Sequence, residues 1–161
     1  MFLSPATAVL AITIYRQRFL IKEHLAAVIA GTAAGSICSI LLVLFLCRLF
    51  ALPGTVTASL IPKSITTPLA IAVCDSLGGI QALTVLAVIV TGITGSIIAP
   101  PLIKLFRIRS EIAQGLAIGA ASHAVGTSKA VEMGDVQGAL SSVSLVMSGV
   151  ITVLISIIFF S

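Results

Sequence analysis

Charge is what this chain has least of. Only 9% of its 161 residues are Asp, Glu, Lys or Arg, against roughly 25% in soluble globular domains. That shortage excludes a water-facing surface of ordinary make-up. Tryptophan is missing and there is one tyrosine. The net charge of +4 therefore has no aromatic platform beside it, and nucleic acid is not an expected partner. The three cysteines, Cys38, Cys47 and Cys74, lack metal-ligand spacing and sit in or beside apolar runs. Small buried hydrophobes are expected there, not a disulfide or a metal centre. No His/Glu metal pattern and no phosphate loop is present, so neither metal nor cofactor is expected. Ser122 and His123 are adjacent, which makes their side chains diverge, and no carboxylate stands at triad spacing. Catalysis is not the expected function.

What remains is oil. Hydrophobic residues make up 58% of the chain, with a mean hydropathy of +1.25. The stretches 25–47, 80–103 and 136–160 carry no charge, and each exceeds the ~20 residues a helix needs to cross a bilayer core. The fold class read from this is an all-α polytopic membrane protein in one domain, 1–161. Basic residues gather in short loops, at Arg16, Arg18 and Lys22 and again at Lys104, Arg107 and Arg109, the pattern of cytoplasmic retention. Residues 4–15 are apolar but contain Pro5, and their positive charges follow the run. This is part of a first membrane segment, not a signal peptide.

Two segments break the apolar pattern. Residues 55–75 are cut at Pro62-Lys63-Ser64, and residues 111–133 around Ser122-His123, with Ser110 and Glu111 as a helix start and Gly134 as a stop. Each half is about nine to eleven residues and reaches only roughly 13–17 Å, half the hydrocarbon thickness. The segment 55–75 either crosses as a broken helix or dips to the midplane and returns. Returning places all the clustered basic residues on one side and leaves Arg48 on the other, so the charge bias favours the hairpin.

The breaks echo each other at an offset of sixty, with Thr67/Thr127, Ala70/Ala130 and Asp75/Asp135 identical. Similarity resumes after a three-residue shift, at Ala82-Leu83-Thr84 against Ala139-Leu140-Ser141. The expected architecture is N-terminal helices over 1–53, then two copies, 54–103 and 110–161, of a half-membrane helical hairpin plus a transmembrane helix. One hairpin and one span make an odd number of crossings, so the second copy is inserted upside down, as in secondary transporters.

Ionisable and hydroxyl groups inside hydrocarbon are functional-site candidates. Each second half-helix starts at a break, and a helix N-terminus favours anions. Lys63, Ser64, Thr66 and Thr67 surround one break, and His123, Thr127 and Ser128 the other. Together they suit a small carboxylate. The alternative is that the hydroxyls satisfy backbone groups freed by the breaks. With an unperturbed pKa of ~6.5, His123 is also a candidate proton carrier, beside the reading of a hydrogen-bonded packing residue. Lys129 and Glu132, three apart, read as a structural pair, and Asp75 and Asp135 as helix N-caps before the following spans. Gly31, Gly35 and Ser39 form a small-residue ridge, expected to pack inside the molecule more than between copies of a homo-oligomer.

At Pro62-Lys63-Ser64-Ile65-Thr66-Thr67-Pro68, Leu77-Gly78-Gly79-Ile80, Thr91-Gly92-Ile93-Thr94-Gly95, Gly115-Leu116-Ala117-Ile118-Gly119 and Ala121-Ser122-His123-Ala124-Val125-Gly126-Thr127 the chain resembles the LrgB/CidB family of antiholin-like membrane proteins. The likeness continues through Ala130, Glu132, Gly134, Gly138 and Ala139 to Ser141, and Ser4-Pro5-Ala6-Thr7 resembles a further signature. It implies a multi-pass protein of the bacterial inner membrane with a holin-like LrgA/CidA partner. It also implies a link to murein hydrolase export and autolysis, and relatives that carry small carboxylates such as glycolate, glycerate or pyruvate. Family members carry further helices before the Pro5 region, so the resemblance implies that this chain starts where those end.

Overall fold

The computed structural model describes Tyr15 and residues 18–160, and every element among them is helical. The expected segment at 4–15 and the Ser4-Pro5-Ala6-Thr7 signature lie outside the described residues, apart from Tyr15. The elements are α1 (Arg18–Glu23), α2 (Leu25–Leu49), α3 (Gly54–Leu60), α4 (Thr67–Ser76), α5 (Gln81–Leu105), α6 (Glu111–Met133) and α7 (Asp135–Phe160). Three runs are long and apolar enough to cross a membrane, Leu25–Leu49, Gln81–Leu105 and Asp135–Ile158.

Their packing is the reverse of a water-soluble bundle. Along α7 the buried face carries Ser141, Ser144, Ser148, Thr152 and Ser156, while Val146, Val150, Leu154, Ile157 and Ile158 face outward. On α2 Thr32 and Ser36 are buried, and Leu41, Leu42 and Phe45 are exposed. Against lipid tails no hydrophobic force draws large side chains inward, so helices meet on small and hydroxyl residues. Outside the helices, the same side chains would have no medium but lipid to suit them.

The chain reverses at residues 61–66. Ile80 N–H, just beyond the end of α4, donates to Ser59 Oγ at 2.7 Å, and Thr84 Oγ1 donates to Ser59 O at 2.9 Å. Leu77 packs with Ile61, Ile40 and Val43. Had the chain run on, Leu77 would lie roughly 15 Å beyond the break. Gly78, at φ +69, permits the turn that returns it to Ser59.

A second reversal lies inside α6, where His123 has φ 40 and ψ −140, outside helical values. Gly115 lies against Gln137 and Leu140, and Gly119 against Ser141, in ascending order along α7. Beyond His123 the order inverts, with Thr127 bonded to Ser141 and Gly138 against Val131. The halves 111–122 and 124–133 therefore run antiparallel. Ser110 caps the start of α6, its Oγ accepting from Ala113 N–H at 3.3 Å, and Gly134 ends it.

The reversals enter from opposite ends of α2. The first follows the C-terminal end of α2 and reaches back to Ser39. The second starts beside His24, then passes Gly31 at Leu116 and Gly35 at Ala120. Of the Gly31–Gly35 ridge, Gly35 thus packs closely within the molecule, while Gly31 touches Leu116 and is exposed beside it. One expectation needs correcting here. Asp75 is no N-cap: Ile80 holds that position on α5 without a side-chain bond, and the Asp75 carboxylate accepts from Gln81 Nε2 at 2.7 and 2.9 Å. Gly78-Gly79 turns the chain after Asp75, which removes it from the cap position. Asp135 is not the cap either: it is the first helical residue of α7, with Gly134 O accepting from Gly138 N–H at 2.9 Å, and its charge there favours the helix dipole.

Candidate functional site

Pro62 and Pro68 make the first break. Neither has an N–H to give, so α3 stops at Leu60 and α4 starts at Thr67, with Pro68 in its first turn. The six residues between carry Lys63 to the middle of α2. Its ammonium donates to Ser39 Oγ at 3.3 Å and to Ser64 Oγ at 3.2 Å, and the two hydroxyls bond each other at 2.8 Å. Ser64 is buried and Lys63 half-buried. The ion pair found among the described residues is Lys129–Glu132, so no carboxylate there neutralises Lys63.

This triad lines one end of a cavity of about 820 Å³, with Leu42 beside it. At the other end lie His24, Ala27, Ser110 and Ile112, at the start of α2 and α6. Gly31, Gly35, Ala113 and Ala117 wall the middle, and Cys38, Ala120 and Ala121 flank the Lys63 end. The wall is almost wholly apolar and built from small residues. Cys38 departs from the buried state expected of it: it is exposed to this space, whereas Cys47 and Cys74 are buried. Small residues at Gly35 and Ala120 let α2 and α6 pack closely beside this space: a methyl on Gly35 would come within 3.0 Å of Ala120 Cβ.

The second break is built differently. His123 is buried, and its Nε2 lies 2.7 Å from Val88 O on α5. A carbonyl only accepts, so the ring carries its proton on Nε2 and donates. Gly92, one turn along α5, lies flush against the ring, and a side chain there would collide with it. Thr127 Oγ1 donates to His123 O at 2.8 Å and shares a bond with Ser141 Oγ at 2.9 Å. Ring, carbonyl and the next helical turn are all held by neighbours.

The structure therefore brings together only part of the predicted set. Lys63 and Ser64 share the cavity, and Ala121 brings the second break to its edge. Thr66 is the N-cap of α4, with no side-chain cap bond, and neither it nor Thr67 lines the cavity. His123 and Thr127 face α5 and α7. Ser128 lies elsewhere: it is exposed, bonds Ala124 O at 3.2 Å, and lines a separate space of about 480 Å³ with Lys129, Glu132, Pro100 and Pro101. Ser39, expected only as part of a packing ridge, joins the triad. Its place one turn beyond Gly35, on the same face, was the available signal.

Comparison with known proteins bears on the whole chain. Residues 1–161 match the profile of the LrgB-like family. The chain is similar, at 39% identity over 149 residues, to the uncharacterized protein YxaC of Bacillus subtilis strain 168, covering 92% of this chain and 65% of that one. It is similar at 36% over 158 residues to the antiholin-like protein LrgB of the same strain, covering 98% and 68%. The antiholin-like protein LrgB of Bacillus cereus strain B4264 gives 36% over 154 residues, covering 96% and 67%. The chain thus spans about two thirds of the length of these relatives. No solved structure matches.

Proposed function

Because the chain belongs to the LrgB-like family, we propose that it works as a multi-pass carrier of small monocarboxylates, of the pyruvate, glycolate or glycerate class, in a bacterial inner membrane. One observation supports this above the others. A half-buried ammonium, at the end of an apolar cavity, has two hydroxyl partners and no carboxylate among the described residues. Desolvating a cation without a counter-ion is costly. A bound carboxylate supplies that counter-ion, and Ser39 and Ser64 add hydroxyls to its oxygens or to a neighbouring hydroxyl or keto group. Lys63 and Ser64 bind, while His123 and Thr127 fix the second tip. A proton role for His123 needs its Nε2–H to leave Val88 O.

The reading includes an inverted repeat. Equivalent positions, sixty and fifty-seven apart, meet equivalent partners: Ser59 with Thr84 in one copy, Gly119 with Ser141 in the other. Two hairpins entering from opposite ends of α2 suit access that alternates between the two sides.

A second reading rests on the relatives' names. As an antiholin-like regulator of autolysis, the protein would act through a holin-like LrgA/CidA partner, using small-residue ridges. Of the small residues available for this, Ser144 and Ser148 are buried against neighbouring elements and Gly35 lies against α6, while Gly31 is exposed. That leaves the carrier reading better supported.

Uptake of labelled pyruvate, lactate and glycolate into proteoliposomes is the test. Saturable uptake of at least one is expected, reduced by roughly 10- to 100-fold in Lys63→Ala, the scale of one charge-assisted contact. No saturable uptake by the native chain, or full uptake by the variant, would overturn the proposal.

A further inference from the structure

The cavity has a direction. One end of its lining lies at the start of α2 and α6, at His24 and Ser110, next in sequence to the basic residues Lys22, Arg107 and Arg109; we take this end as its mouth. Along α2 its lining runs from Ala27 through Gly31, Gly35 and Cys38 to Leu42, about 22 Å of helix. It stops at Lys63.

Beyond Lys63 the character changes. Ile61, two residues away, packs with Ile40, Val43 and Cys47, all buried, and with Leu44, Leu60, Leu77 and Ile155 around them. This cluster unites both limbs of the first reversal with α2 and α7. It fills the space between the triad and the Arg48 end of the bundle. An anion held at Lys63 meets small residues and an open path on one side, and a layer of branched aliphatic side chains on the other.

Resting on the carrier reading, we infer that the structure is the state open to the basic, cytoplasmic end, and that the Ile61 layer is the closed outer gate of the same path. The polarity fits the task. The chain beside His24 and Ser110 carries Lys22, Arg107 and Arg109 against Glu23 and Glu111, a net positive balance that favours anions at this end. Among the described residues Lys63 is the one Lys or Arg that lines the wall, so an anion drawn inward comes to rest at the gate.

Cys38 makes the inference measurable without any substrate. It faces the cavity close to the Lys63 end, while Cys47 and Cys74 are buried. A membrane-impermeant sulfonatoethyl methanethiosulfonate reacts with an accessible thiolate, forming a mixed disulfide and releasing methanesulfinate. Right-side-out and inside-out vesicles holding the native chain present opposite faces to it, and mass spectrometry locates the adduct. Labelling of Cys38 from the cytoplasmic face alone is expected, with the anionic reagent about tenfold faster than its trimethylammonium counterpart. Lys63→Gln should remove that preference and leave the side of access unchanged. Ile61→Ser should add labelling from the outer face.

Labelling from the outer face in the native chain, or from neither face, would overturn the open-inward state. Ile61→Ser that stays silent from outside would overturn the gate assignment. Because labelling needs no transport, a chain that labels as expected yet takes up no carboxylate refutes the carrier reading alone.

Discussion

The two breaks look alike in sequence and do opposite work. At the first, two prolines and a six-residue turn carry a cation into open space, where its partners are hydroxyls it shares. At the second, one residue turns the chain, and its ring and carbonyl are both tied to neighbours. A positive φ on a histidine persists only where surroundings enforce it, and Val88, Gly92, Thr127 and Ser141 do so here. One break presents a group and the other anchors a tip.

Removing His123 should give the largest change in stability. His123→Ala deletes a buried ring and its bond to Val88 O, a loss of about 2–4 kcal/mol. Thermal unfolding of the detergent-solubilised protein measures it. A variant as stable as the native chain would dissolve the contrast, because the second break would then be no anchor.

Lys63→Met should do the reverse. Replacing an unneutralised, half-buried ammonium by an apolar chain of similar length should leave stability within about 1 kcal/mol, or raise it. Carboxylate uptake should fall at least tenfold in the same preparation. A large loss of stability would show Lys63 to be structural, and the two breaks would be the same kind of object.

The element plan was readable because membrane length and helix breakers leave few choices. The spans 25–47, 80–103 and 136–160 emerge as Leu25–Leu49, Gln81–Leu105 and Asp135–Phe160. Breaks at Pro62 and at His123 fall where the helical pattern fails. Charge placement favoured a returning first segment, and the bonds from Ser59 to Ile80 and Thr84 follow that course. The site was only half readable. Position in the chain shows that Lys63 and His123 sit at breaks, but the facing of a side chain at a reversal depends on which helix lies beside it. Gly92 admits the His123 ring to α5, and no periodicity in residues 111–133 announces that. Asp75 misled for a similar reason: the Gly78-Gly79 turn separates it from the helix it was expected to cap.

Thr127→Val sharpens the contrast at smaller scale. It removes the bonds to His123 O and Ser141 Oγ while keeping the branched shape, so a loss of about 1–2 kcal/mol is expected in the same unfolding assay. Thr67, its counterpart at the first break, has no comparable pair of side-chain bonds, and Thr67→Val should cost less than half as much. Equal losses would mean that hydroxyls anchor both tips.

The smallest effect is expected at Lys129 and Glu132, whose 2.7 Å pair joins side chains that are 39% and 66% exposed. An exposed pair at i, i+3 gains little, because solvent screens the charges and two long side chains lose freedom to meet. Lys129→Ala should change stability by less than about 0.5 kcal/mol. It leaves Glu132 on the rim of the second space, beside Ser128 and Pro101, where solvent still reaches it. Unfolding in low and in high salt separates the outcomes. A loss above about 1 kcal/mol that shrinks with salt would show that charge also holds the second reversal in place. The division between a charged, open tip and a neutral, anchored one would then no longer describe this protein.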